Sequence, residues 1–183
     1  MTTLTTQQAT EENFYDEEDE DTQKDKYLTF TVGREDYGIE ICHVTEIIGI
    51  QKITDVPDMP GHIKGVINLR GKVIPVMDVR LRFRMPARDY DDRTCIVVVD
   101  VGGAAIGLVV DTVKEVADIP PGQIELPPDV AERGTQHYIK GLGKLGEQVK
   151  ILLDVERLVK KEGLEAIPSL NSALPETHAQ AQL

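Results

Sequence analysis

The sequence predicts an all-β fold made of two copies of one five-stranded unit, closed by a short C-terminal helix and flanked by disordered termini. Three observations carry that expectation. Short runs alternate apolar and polar residues with a period of two, as half-buried strands do. Gly and Pro punctuate the chain roughly every eight to twelve residues, the spacing of small sandwiches and barrels. Finally, two stretches of the chain repeat one another.

Taken in order, residues 1–25 read as a disordered acidic tail. Residues 11–25 hold nine acids and one Lys, so −8 of the net −12 charge lies there. Such a segment has too little apolar surface to offset its ordering entropy. In Leu28-Thr29-Phe30-Thr31-Val32 the alternation begins; residues 33–36 supply a turn, and residues 37–41 alternate again, which predicts a hairpin. Further strands are expected at 44–50, 66–69, 72–77, 95–101, 104–110, 112–117 and 148–153. The run Cys95-Ile96-Val97-Val98-Val99 is apolar on both faces and should be central. Pro75 cannot donate to a ladder, which places its strand at an edge or at a bulge. Asp154 can cap a helix whose stripe is Val155, Leu158 and Val159, with Gly163 as its stop. Residues 26–163 therefore form the structured domain, and 164–183 a flexible tail.

The repeat is specific. Gly38-Ile39, Val44 and Glu46-Ile47 match Gly107-Leu108, Val113 and Glu115-Val116 at an offset of 69. Ile63-Lys64-Gly65 and Asp78-Val79 match Ile139-Lys140-Gly141 and Asp154-Val155 at an offset of 76. Between the latter pairs, Leu69-Arg70-Gly71 aligns with Lys144-Leu145-Gly146 through the shared glycine. A unit of about 60 residues buries too little surface to be robust alone, so the copies should pack together.

Several function classes are disfavoured. An acidic chain without a basic patch is a poor match for nucleic acid, and no apolar run of roughly 18 residues could cross a bilayer. Cys42 and Cys95 lie in apolar runs and read as small buried residues of a reduced compartment. His43, His62, His137 and His178 show no ligand spacing, so no metal is expected. Gly141-Leu142-Gly143-Lys144-Leu145-Gly146 spells a dinucleotide fingerprint, but a strand rather than a helix should follow it, which removes the phosphate-binding helix start. Asp78 and Asp154 occupy equivalent places and read as duplicated caps rather than a catalytic pair. No nucleophile elbow is present, so neither an enzyme nor a cofactor is expected. Arg70 stands apart: Asn68-Leu69-Arg70-Gly71-Lys72 reads as a strand ending in a tight turn that would carry the guanidinium into solvent.

The order Tyr37-Gly38-Ile39, Val44-Thr45-Glu46-Ile47, Ile53-Thr54-Asp55-Val56-Pro57, then the unbroken run from Ile63-Lys64-Gly65 through Asn68-Leu69-Arg70-Gly71 to Asp78-Val79-Arg80, with Gly141-Leu142-Gly143 near the end, closely resembles the CheW family of chemotaxis coupling proteins. The resemblance implies two packed five-stranded SH3-like barrels and an adaptor without catalysis or cofactors. It implies as partners the cytoplasmic tips of methyl-accepting chemoreceptors and the regulatory domain of the histidine kinase CheA. Nucleic acid and membrane insertion are not implied; the expected location is cytoplasmic, at membrane receptor arrays. Receptor contacts carry over to Val44, Glu46, Gly65, Asn68, Leu69 and Arg70, with Val113 and Val116 contributing from the second copy. Asp78, Arg82 and Phe83 are the candidates for kinase docking.

Overall fold

Two hairpins change places between the sequence repeats, and this exchange organises the molecule. The computed structural model describes residues 22–127 and 137–160; both tails and the helix stop at Gly163 lie outside them, apart from residues 22–25 of the acidic segment. The first repeat supplies β1 (Lys26–Val32), β2 (Glu35–Glu40), β3 (Val44–Gly49), β4 (Ile63–Leu69), β5 (Lys72–Asp78) and a one-turn helix α1 (Val79–Arg82). The second supplies β6 (Cys95–Val101), β7 (Ala104–Val110), β8 (Thr112–Asp118), a two-residue β9 (Ile124–Glu125), β10 (Ile139–Leu145), β11 (Gln148–Leu153) and α2 (Val155–Lys160). One sheet runs β3-β6-β7-β5-β4, and the other runs β8-β1-β2-β11-β10-β9. Each repeat therefore lends its first hairpin to the sheet of the other. Neither copy is a self-contained unit, which a one-copy-per-barrel reading of the repeat would miss.

The pairing registers show that the two sheets are built alike. Val76 sits beside Gly107 in the parallel β5–β7 pair, and Leu152 beside Gly38 in the parallel β11–β2 pair. Applying the offsets of 69 and 76 turns the first pair into the second. Val44 opposite Val99 maps in the same way onto Val113 opposite Phe30. Bulges between Ile63 and Gly65 and between Ile139 and Gly141 are likewise equivalent. A bridge from Thr54 to Val66 corresponds to the β9–β10 partners Glu125 and Leu142.

Burial divides the core into three parts. Ile67, Ile74, Val76, Ile96, Val98 and Val109 fill the five-stranded sheet. Tyr27, Ala117, Ile119 and Leu152 fill the six-stranded one. The largest cluster lies between them, with Leu28, Phe30, Ile39, Val97, Val99, Leu108 and Leu153 among its members. Strand β6 explains why it is apolar on both faces: Ile96 and Val98 point into one cluster, Val97 and Val99 into another. The aromatic residues Phe30, Tyr37, Phe83 and Tyr138 form a continuous stack, with successive ring centroids 6.1, 5.0 and 5.2 Å apart.

Four details depart from the sequence-based reading. Thr29 does not face solvent; it is fully buried, donating to the Glu115 carbonyl at 2.9 Å where β1 and β8 slip register. Pro75 lies on an internal strand, tolerated because pairing with β7 starts only at Val76 and the β4 bulge is adjacent. Cys42 is exposed and Cys95 partly so, because Cys42 falls on a 3-10 turn, Ile41–His43, rather than within a strand. A second helix, α1, exists beside the expected C-terminal one, and both are capped as the repeat demands. Leu81 N donates to Asp78 Oδ1 at 3.3 Å, and Arg157 N to Asp154 Oδ1 at 3.0 Å.

Candidate functional site

The turn between β4 and β5 is where the two halves diverge most sharply. Leu69 pairs with Lys72, leaving Arg70 and Gly71 as its two central residues, at φ of 51° and 85°. Two successive positive φ values define the type I′ turn that suits a twisted hairpin and normally takes Asn-Gly. In the second half Leu145 pairs with Gln148, and the central residues are Gly146, at φ 60°, and Glu147. The structural counterpart of Arg70 is thus Gly146, not Leu145. The sequence alignment slipped by one because it matched glycines, and the two turn types put glycine in different places. A residue bearing a Cβ pays on the order of 1 kcal/mol to sit in the left-handed region, which glycine avoids. The first half accepts that cost to place a guanidinium at the tip.

Arg70 is held there firmly. Its Nη1 donates to Glu46 Oε1 at 3.0 Å and its Nη2 to Glu46 Oε2 at 2.7 Å. This two-pronged geometry fixes the plane as well as the position of the guanidinium. The pair also ties the β4–β5 turn to β3, so the two outer strands of the five-stranded sheet approach each other as in a barrel. The Arg70 side chain remains 76% exposed while Glu46 is 24% exposed. Asn68 accepts from Gly71 N at 2.9 Å through its Oδ1, stiffening the turn. A solvated, preorganised charge is the result.

The other expected receptor-facing residues occupy different depths. Val44 and Val113 are equivalent by the repeat, are partly buried, and both pack on the central cluster. Leu69 packs on the interior of the five-stranded sheet. Gly65 is buried and has no side chain to offer; a Cβ there would stand 2.0 Å from the Thr54 carbonyl oxygen. Its work is to let residue 54 approach β4. Val116 is exposed, and so is its counterpart Ile47; Val73 and Val149 form a second exposed equivalent pair. The sequence repeat matched Ile47 with Val116 but singled out only Val116 as a contact, and the Val73–Val149 pair, equivalent at the offset of 76, went unnamed.

Near α1 the three remaining candidates do unequal work. Asp78 is buried, caps the helix and accepts from the Tyr90 hydroxyl at 2.6 Å. Burial first, and then the carboxylate it serves, push the Tyr90 phenol well above its ordinary range. Phe83 is stacked between Tyr37 and Tyr138. Arg82 donates to the Leu158 carbonyl at 3.2 Å and lies 5.1 Å from the Tyr138 ring centre, yet also lines an open cleft with Gly61, His62, Leu81, Arg84 and Met85. The glycine-rich run 141–146 lies on β10 and its turn, and strand β11 rather than a helix follows it.

Two interleaved β barrels carrying a preorganised charged hairpin turn and matched exposed apolar side chains make a protein of the scaffold class, one that works through presented surfaces. Comparison with known proteins narrows the class. A family model described as the CheW-like domain matches residues 26–163. The chain is 38% identical over 145 residues to the chemotaxis protein CheW of Klebsiella aerogenes, covering 79% of this chain and 87% of that one. It is 31% identical to Protein FrzA of Myxococcus xanthus, covering 78% of this chain and 89% of that one. Among solved structures it resembles the scaffolding protein TtCheW from Thermoanaerobacter tengcongensis with a TM-score of 0.69 and 35% identity, covering 76% and 94% of the two chains. The chain belongs to the CheW-like family, whose members are chemotaxis scaffolds and adaptors rather than enzymes. No helix among the described residues is long and apolar enough to cross a membrane.

Proposed function

We propose that this chain couples the cytoplasmic tips of methyl-accepting chemoreceptors to the regulatory domain of the histidine kinase CheA in signalling arrays. The observation that carries the reading is Arg70. A positive-φ arginine stands where the equivalent turn uses glycine, and its exposed guanidinium is aimed by Glu46. Backbone strain accepted at one of two equivalent hairpin turns, where the other uses glycine, supports a functional role for that side chain.

On the receptor side, a helical tip lays apolar side chains against Val44, Leu69, Val113 and Val116 while Arg70, Glu46 and Asn68 fix its register. Gly65 shapes that surface from beneath. The kinase domain meets the outer barrel surface, where Ile47, Val73 and Val149 are exposed, with Arg82 contributing from its cleft and Asp78 and Phe83 supporting α1 from within. Holding both partners raises their mutual effective concentration, so weak individual contacts suffice in an array.

The test is co-capture by the full chain from a lysate containing membranes. Wild type is expected to bring down receptors and the kinase together. Arg70→Glu places two acids side by side at the turn and should reduce receptor capture by about tenfold or more, while the kinase is retained. A folded Arg70→Glu protein with unchanged receptor capture removes the assignment.

A further inference from the structure

Outside the surfaces just described, one cluster of side chains combines three different donor chemistries. The chain leaves β2 at Glu40 and enters the 3-10 turn Ile41–His43. In a strand, Cys42 and His43 would point to opposite faces. In a 3-10 turn residues three apart eclipse, which stacks His43 over Glu40. His43 Nε2 accordingly lies 3.6 Å from Glu40 Oε2. The Cys42 sulfur joins them, and the three ligand atoms all lie within 4.8 Å of one another.

We propose that Glu40, Cys42 and His43 form a three-donor site for a divalent transition cation of the zinc type. The distances suit such an ion. Tetrahedral zinc with Zn–N and Zn–O bonds of about 2.0–2.2 Å holds its nitrogen and oxygen ligands about 3.3–3.5 Å apart, close to the gap already present. The sulfur needs to close by about 1 Å to reach the corresponding spacing for a Zn–S bond of about 2.3 Å, and Cys42 is exposed and not in a disulfide.

The carboxylate is already oriented for the task. Lys140 Nζ donates to Glu40 Oε1 at 2.5 Å, which leaves Oε2 facing His43. This is the arrangement by which outer partners orient metal ligands. A mixed sulfur, nitrogen and oxygen set favours zinc-type ions over calcium or magnesium, which select oxygen alone. On binding, the ion replaces the Cys42 thiol proton, which passes to solvent, and water completes the fourth position. Three of the more buried carboxylates are committed elsewhere: Asp36 to two lysines, Asp111 to two arginines, and Asp78 to Tyr90 and a helix cap. The site abuts Val44, so an occupied turn would stiffen the start of β3.

The experiment is calorimetric titration of zinc chloride into the reduced, metal-free full chain, beside Cys42→Ser and His43→Gln. The expected result is one equivalent bound by wild type and at least about tenfold weaker binding by each variant. Cobalt(II) should give a thiolate charge-transfer band with wild type that Cys42→Ser lacks. Cys42 is exposed and His43 only partly buried, and thermal melts without metal should match wild type; two independent variants keep the result readable if one misfolds. Absence of stoichiometric binding by wild type overturns the proposal. So does binding that survives both substitutions unchanged, which would locate the ion on other acidic groups.

Discussion

The two β sheets solve one packing problem in two ways. In the five-stranded sheet, Ile74 on β5 is buried and Ala105 on β7 packs in the same cluster. At the positions equivalent by the offsets of 76 and 69, the six-stranded sheet has Lys150 on β11 and Asp36 on β2. The Lys150 side chain is only 3% exposed and donates to Asp36 Oδ2 at 2.6 Å, and Lys114 donates to the same oxygen at 2.8 Å. Thr31 Oγ1 donates to Asp36 Oδ1 at 2.7 Å, which completes the carboxylate's partners. The same register thus accommodates a hydrocarbon contact or a buried ion pair. What the fold requires is filled volume with satisfied polar groups, and the chemistry of the filling is open.

The largest predicted effect concerns the bulge glycines. At Gly65, φ is 140° and an added Cβ would meet the Thr54 carbonyl oxygen at 2.0 Å. At the equivalent Gly141 the φ is not positive, and the tightest contacts are Ile124 Cγ2 at 2.6 Å and the Glu125 carbonyl oxygen at 3.1 Å, a milder conflict than a backbone oxygen at 2.0 Å. Gly65→Ala is therefore expected to cost about 4 kcal/mol or more, and Gly141→Ala clearly less, as read from urea denaturation midpoints. Equal costs would mean that the halves are less distinct here than their backbones indicate.

Next in size is the ion pair. Asp36→Ala strands a buried ammonium and should cost about 3–5 kcal/mol. Adding Lys150→Ile converts the site to its Ala-Ile counterpart and should recover most of that loss. A double variant no more stable than Asp36→Ala would show that the two sheets are not interchangeable at this position.

The pH response gives a smaller effect with a defined sign. Burial opposes ionisation of Asp36, but the hydrogen bonds from Lys114, Lys150 and Thr31 outweigh it and hold the carboxyl well below its usual range. A carboxyl with a depressed folded-state pKa stabilises the fold above its unfolded value, near 3.9, and loses that contribution as pH falls toward the folded value. Wild type should therefore lose stability more steeply than Asp36→Asn between about pH 5 and pH 3. Parallel slopes would remove Asp36 as the source.

Much of this was legible in the sequence. The repeat, the caps at Asp78 and Asp154, the both-sides-apolar strand β6 and the exposed Arg70 all follow from local pattern. The exchange of hairpins did not, because each first hairpin presents the same alternation whichever sheet receives it; only long-range registers such as Gly38 beside Leu152 decide the matter. The counterpart of Arg70 was missed for a related reason: type I′ turns put glycine second and type II′ turns put it first, so matching glycines shifts the register by one. Thr29 looked solvent-facing because a buried hydroxyl bonded to backbone carries the same letter as an exposed one. Cys42 read as buried and His43 as lacking ligand spacing because nothing in their composition announces the 3-10 turn Ile41–His43.

One substitution tests the central claim that the first half keeps a strained turn for the sake of its charge. Arg70→Gly imports the residue of the second half, relieving the positive-φ cost while losing an exposed ion pair, two effects of about 1 kcal/mol or less that oppose each other. The denaturation midpoint should stay at or slightly above that of wild type while receptor capture falls by about tenfold or more. A variant that melts normally and still captures receptors as wild type does would contradict the account.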